Sequence, residues 1–249
     1  MDYYFISYPK SGRTWIQLLI SKYLSYVSDV ECIDLLKSNK ISFGNGHSIF
    51  FSHGRSNGSI CQGRKIDFYR DKEIILLTRN VADVMISYYH YAKYSLHTHD
   101  GSFEIFVRKL PFDRDQSSDE SRHGLMAYVN YHKFFLNLNH IGFYLNYSLV
   151  KQNVVTNFTN LLCYLGIEIY PDYLSDTIEF CSRRNMKLLE NNNILEWYGL
   201  NGNGLGAKVR TDSVMSRNEI SLELVELIEN NMKSNFTESD LCLLDFTSS

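Results

Sequence analysis

The chain contains no apolar stretch of about 18 residues, the length a membrane-crossing helix needs, so no span is expected. No basic N-terminal region leads into an apolar run either, which argues against a signal peptide. Cysteine is sparse: Cys32, Cys61, Cys163, Cys181 and Cys242 are odd in number and form no CxxC pair. That pattern reads as reduced thiols in a cytoplasmic protein. None of the eight histidines falls in an HExxH or Cys/His spacing, so metal catalysis finds no support. Charge of either sign is not in large excess, and a net charge of −3 calls for neither nucleic acid nor an anionic membrane. Repeats and low-complexity linkers are absent, and the 249 residues read as one α/β domain, 1–249, rather than two small ones.

What is present is aromatic: 18 Tyr and 15 Phe, which suit a plain aromatic core as well as aromatic-lined pockets. Residues 3–8 read as a buried strand, and Thr14 to about Val27 as a helix with Trp15, Ile16, Leu19, Tyr23 and Val27 near one face. Residues 30–47 read as irregular. Strands are expected at 48–53, at 73–78 (EIILLT, apolar on both faces) and at 141–147. Helices are expected at 79–95, with Asn80 as N-cap, and at 102–110, 124–138, 151–165, 172–190 with a break, and 217–232 behind a Ser216/Glu219 capping box. The polar run 111–122 reads as a surface loop, and 201–208 as a glycine-rich one. Strands alternating with helices predict a layered fold with a central parallel β-sheet flanked by helices, whose site lies beyond the strand C-termini. That rule collects the loop 9–14, His53, the 79–80 turn and Tyr147 on one edge.

The loop Pro9–Thr14 joins the first strand to the first helix. A glycine-bearing turn there leaves backbone N–H groups unpaired at a helix N-terminus, which suits a phosphate or another oxyanion. Lys10 adds a mobile positive charge, and Ser11 and Thr14 add hydroxyls. The nucleotide-binding pattern GxxxxGK[ST] is absent, because the lysine precedes the glycine by two residues. Arg79 leaves the end of a strand, where its planar fork can take a phosphate bidentately. Ser87 follows ~12 Å along the next helix, so both meet one phosphate only if Arg79 extends forward.

YPKSGRTW (8–15) resembles the 5′-phosphosulfate loop of the soluble sulfotransferases, YPKSGTTW, with Arg13 in place of a threonine. LLTRNVADVMISYYHY (76–91) resembles that family's 3′-phosphate segment, a strand ending in RNxxDVxxSYYHF. The resemblance covers most of the chain and is weakest in 28–47, 96–122 and the C-terminal third. It implies a P-loop nucleotide-binding-like sulfotransferase fold. It also implies 3′-phosphoadenosine 5′-phosphosulfate (PAPS) as sulfuryl donor, 3′-phosphoadenosine 5′-phosphate (PAP) as product, and no metal. By the same carry-over, Lys10, Ser11, Gly12, Arg13 and Thr14 hold the phosphosulfate, and Arg79 and Ser87 hold the 3′-phosphate. Trp15 and Tyr147 contact adenine, with ordinary core packing the competitor for Trp15. Gly206, Lys208 and Arg210 correspond to the family's closing segment RKGxxGxxK, although the spacing is contracted and an exposed loop is the alternative. His53 follows IFFS where the family has a Lys-Thr-His segment, so the resemblance makes it the general base; an imidazole suits that role at neutral pH. Lys10 and Ser87 complete the catalytic set.

The function implied is sulfuryl transfer to a hydroxyl or amine of a small-molecule acceptor in the cytoplasm, without nucleic acid or membrane partners, with a homodimer among the allowed states. An atypical nucleotide-dependent kinase and a non-catalytic adenine-nucleotide binder are the alternatives. The chain begins almost at its first strand, so the N-terminal segment lining the acceptor pocket of longer relatives is expected to be missing. His90 is expected to be structural, His97 and His99 to lie on the acceptor side, and His123 and His132 to lack a visible partner.

Overall fold

The computed structural model describes residues 1–28, 30–44, 46–54, 66–109, 124–138, 140–192 and 217–246. Its sheet has five strands in the order β2-β3-β1-β4-β5, formed by β1 (Asp2–Ser7), β2 (Lys40–Phe43), β3 (His47–Ser52), β4 (Glu73–Thr78) and β5 (Ile141–Asn146). β1 pairs in parallel with β3 and β4, and β4 with β5. β2 is the exception to the expected parallel sheet: it runs antiparallel to β3, Ile41 opposite Ile49, behind a tight reversal with positive φ at Gly44 and Gly46. A reversal this short can only return antiparallel, because a parallel return needs a crossover.

The pleat splits the apolar strands between two layers. Phe5, Ile75 and Leu77 point into one core, and Ile6, Ile74 and Leu76 into the other, all without solvent exposure. The first core is closed by α1 (Arg13–Val27), α2 (Cys32–Lys37), α8 (Val154–Tyr164) and α9 (Pro171–Phe180). The second is closed by α4 (Val81–Tyr94), α5 (Phe103–Arg108), α6 (Leu125–Leu136) and α11 (Leu222–Asn235). The short helices α3 (Ile66–Tyr69), α7 (Tyr147–Gln152), α10 (Arg183–Asn191) and α12 (Glu238–Leu243) complete the described elements.

Several expectations need correction. Residues 30–47 are not irregular, since they hold α2 and β2. The reason is tertiary: the buried Gln17 amide donates from α1 to the Leu36 and Ser38 carbonyls, both at 2.9 Å, and so fastens the end of α2. The strand expected through residue 147 stops at Asn146, whose side chain caps α7 by accepting from the Ser148 and Leu149 amides. Asn153 caps a second helix in the same way, so the helix expected at 151–165 is α8 behind a separate turn. The last long helix starts five residues later than expected: Ser221 is its N-cap, and Arg217–Glu219 form a 3₁₀ turn. Asn80 caps α4 as expected, and Gly166 ends α8 with a positive φ. The loops 111–122 and 201–208 and Ser216 lie outside the described residues.

The second core holds an aromatic cluster with a histidine at its centre. Tyr8 meets Tyr128 and Tyr131 edge-on at 5.3 and 5.1 Å. His132 sits among the three rings, fully buried, with Nδ1 3.0 Å from the Tyr128 carbonyl. His132 therefore has a backbone partner that the sequence did not reveal. Burial pushes its pKa down to about 4, against the upward pull of that hydrogen bond. Below about pH 6.5 the unfolded chain binds a proton that the native state refuses, so stability is full above that pH and falls between about 6.5 and about 4. The loss over that window is expected to reach about 3 kcal/mol. Urea unfolding of wild type and His132→Phe at pH 7, 6 and 5 should show a shallower decline in the variant; parallel declines would remove His132 as the source.

Candidate active site

The four parallel strands end together, because the registers place Ile6 beside Ser52, Ser7 beside Leu77, and Thr78 beside Asn146. The residues that follow these ends are the loop 8–12, which runs into α1 at Arg13, then His53, Arg79 with Asn80, and Tyr147; the sequence placed the loop 9–14, His53, the 79–80 turn and Tyr147 on this edge.

The loop is held in a conformation that few residues accept. Lys10 has φ of 68° and Gly12 of 102°, and the Ser11 amide donates to the Tyr8 carbonyl at 3.2 Å. A side chain at residue 12 is excluded twice over: its φ is left-handed, and a Cβ there would lie 2.4 Å from the Tyr147 ring. Gly12 then precedes α1, in which the Trp15 and Ile16 amides donate back to the Gly12 carbonyl at 3.0 and 3.4 Å. Arg13 and Thr14 form the first turn of α1 beyond it.

Arg79 closes the other side of the loop. Its Nη1 donates to the Lys10 carbonyl at 2.8 Å, its guanidinium carbon lies 4.5 Å from the Tyr147 ring centre, and its own carbonyl accepts from the Tyr128 hydroxyl at 2.9 Å. Two buried donors at this edge, Ser11 Oγ and Arg79 Nε, have no acceptor among the described residues. A buried donor left so costs about 1–3 kcal/mol. A bound oxyanion is the group that would satisfy them, so the residues present fit a phosphate. The Lys10 ammonium stands 4.1 Å from the Tyr91 ring centre on α4, a contact that sequence reasoning missed.

His53 follows β3 and is turned back onto β1. Its Nδ1 lies 2.8 Å from the Ser7 carbonyl and 3.5 Å from Ser7 Oγ. A carbonyl only accepts, so Nδ1 carries the proton and the basic lone pair is on Nε2. Ser87 is buried in α4, while Arg79 reaches the loop. Trp15 donates its indole N–H to the Cys181 carbonyl at 3.0 Å and meets Tyr147 edge-on at 5.7 Å, so its ring is packed against the first core and against Tyr147 together. Gly206, Lys208 and Arg210 lie outside the described residues.

An ion pair sits at the start of α4. Arg217 grips Asp83 through Nε and Nη2, at 2.7 and 2.8 Å. Burial pushes the Asp83 carboxyl up, but the Arg217 hydrogen bonds and charge, with Arg79 and Lys151 behind them, outweigh it and hold the carboxyl below its ordinary range. Among the described residues no group of three or more His, Cys, Asp or Glu could hold a metal ion, and no helix is long and apolar enough to cross a membrane.

Known proteins resemble this chain in sequence and in fold. The flavonol 3-sulfotransferase of Flaveria bidentis is 24% identical over 219 residues, 77% of this chain and 66% of that protein. The flavonol 4′-sulfotransferase of Flaveria chlorifolia is 24% identical over 220 residues, 77% of this chain and 65% of that protein. This chain thus spans slightly under two thirds of the length of these curated relatives. The crystal structure of mouse sulfotransferase SULT7A1 complexed with PAP superposes with a TM-score of 0.60 at 15% identity, covering 99% of this chain and 89% of that one. That likeness shows the fold. The sulfotransferase domain profile matches residues 68–239, a span that includes Arg79, Ser87 and Tyr147 and begins after the loop and His53. With that match over most of its length, the chain belongs to the sulfotransferase domain family.

Proposed function

We propose that the protein transfers a sulfuryl group from PAPS to a hydroxyl or amine of a small-molecule acceptor, with His53 as general base. The observation that carries this reading is the convergence at one sheet edge of an anion-competent loop, Arg79, and a histidine held as a single tautomer. PAPS, when bound, supplies the activated sulfuryl group and leaves as PAP. The chain's residues do the rest. Ser11, Gly12, Arg13 and Thr14 offer donors at the α1 N-terminus to the phosphosulfate, and Lys10 balances the charge that grows as its bond breaks. Arg79 and Ser87 take the 3′-phosphate, and Trp15 and Tyr147 flank the base. His53 accepts the acceptor's proton on Nε2, because Nδ1 is committed to Ser7.

The family membership and the flavonol sulfotransferase relatives support a small-molecule acceptor, and the free thiols of Cys32, Cys163, Cys181 and Cys242 support a reducing, cytoplasmic setting. Isothermal titration tests the nucleotide assignment. PAP is expected to bind without added metal and more tightly than ATP, which has no 3′-phosphate for Arg79. Equal affinities, or a Mg²⁺ requirement, would favour a kinase-like protein instead.

A further inference from the structure

The C-terminal turn Leu243–Asp245 docks onto the same sheet edge, and nothing in the sequence motifs assigns it a role. Three contacts fix it there, each linking residues far apart in the chain. The Thr78 hydroxyl donates to the Leu243 carbonyl at 2.6 Å. The Asn80 amide donates to the Asp245 carbonyl at 2.8 Å while its oxygen caps α4. The Ser148 hydroxyl donates to the Asp245 carboxylate. Leu244, between them, is fully buried in the second core, and Phe246 packs against it. The turn is built for this shape: Asp245 has φ of 58°, a conformation that Asp tolerates better than most residues.

The contacts bracket the Arg79–Tyr147 pair. Thr78 and Asn80 are the chain neighbours of Arg79, and Ser148 follows Tyr147. Arg79 lies over the Tyr147 ring, and that ring in turn fills the space beside Gly12. One residue, Asp245, therefore accepts from a side chain next to each member of the pair, from Asn80 by its carbonyl and from Ser148 by its carboxylate. We propose that Asp245 is a positioning residue: it ties together the segments that leave the β4 and β5 ends, beyond the paired Thr78 and Asn146, and so sets the aim of Arg79 across Tyr147 at the bound nucleotide. This rests on the nucleotide reading above and extends it to a residue that touches no substrate.

A double-mutant cycle on PAP affinity tests it, supported by hydrogen–deuterium exchange on the ligand-free protein. Asp245→Ala is expected to weaken PAP binding about tenfold, and Ser148→Ala to weaken it in the same direction. Asp245→Asn should restore most of the affinity, since an amide oxygen still accepts from Ser148 and Asn tolerates the backbone. In an Arg79→Ala background both losses should vanish, because the residue being aimed is gone. Ser148→Ala keeps the turn's backbone contacts, so it reports even where Asp245→Ala folds poorly; its amides at 78–82 and 147–149 should exchange faster. Losses that add in full to that of Arg79→Ala, or unchanged exchange at both segments, would overturn the positioning role. A wild-type protein with no affinity for PAP would instead overturn the nucleotide reading, and the role with it.

Discussion

Replacing His53 with alanine is expected to slow turnover on a hydroxyl acceptor about 10²–10⁴-fold, as loss of a general base does, and to leave PAP affinity nearly unchanged. The expectation comes from geometry. The Nδ1 contact with Ser7 ties the ring to the end of β1, outside the phosphate loop, so the variant loses a proton acceptor and no phosphate donor. Lys10→Ala should behave differently. Lys10 belongs to the loop itself, and its charge meets the donor's phosphate in the ground state and more strongly as the bond breaks, so both turnover and nucleotide affinity should fall. Single-turnover rates and PAP titrations on thermally intact variants separate the two roles. Wild-type turnover by His53→Ala on an acceptor of high pKa would remove His53 as the base and direct attention to His97, His99 or a nearby carboxylate.

Arg79→Ala should weaken PAP binding about 10–150-fold, the equivalent of one hydrogen bond to a charged group at roughly 1.5–3 kcal/mol. Adenosine 5′-phosphosulfate lacks the 3′-phosphate and should lose less. It should still lose something, because Arg79 also braces the Lys10 carbonyl and stacks on Tyr147. Arg79→Lys keeps the charge but not the fork that reaches two acceptors at once, and should recover only part of the affinity. Titrating both nucleotides against both variants decides the point: equal losses for the two would make Arg79 a structural residue of the loop alone.

Much of this site was legible because its signals are local. A strand, a glycine turn and a helix follow one another within residues 2–27, and a second strand-to-helix junction repeats the logic at 73–94. Apolar runs with flanking caps mark such units whatever surrounds them. The rule that sites lie beyond parallel strand ends then brought Pro9–Thr14, His53, Arg79 and Tyr147 together before any coordinates. The misses share the opposite property. α2 is six residues long and is fastened by the Gln17 side chain from another helix, and β2 exists through its pairing with β3. Neither has a periodicity long enough to announce itself.

The sequence by itself determined the layered α/β architecture, the glycine turn between the first strand and the first helix, and which side chains stand at the strand ends, because each depends on residues adjacent in the chain. Only the tertiary structure decided how those side chains are held. It set the tautomer of His53 through a carbonyl 46 residues away, and the stacking of Arg79 on Tyr147. It also packed Tyr147 against Gly12, set Lys10 over Tyr91, and seated the Asp245 turn across strand ends 165 residues upstream. Contacts across such separations leave no periodic trace, since they depend on where two chain segments meet in space rather than on the pattern of either one.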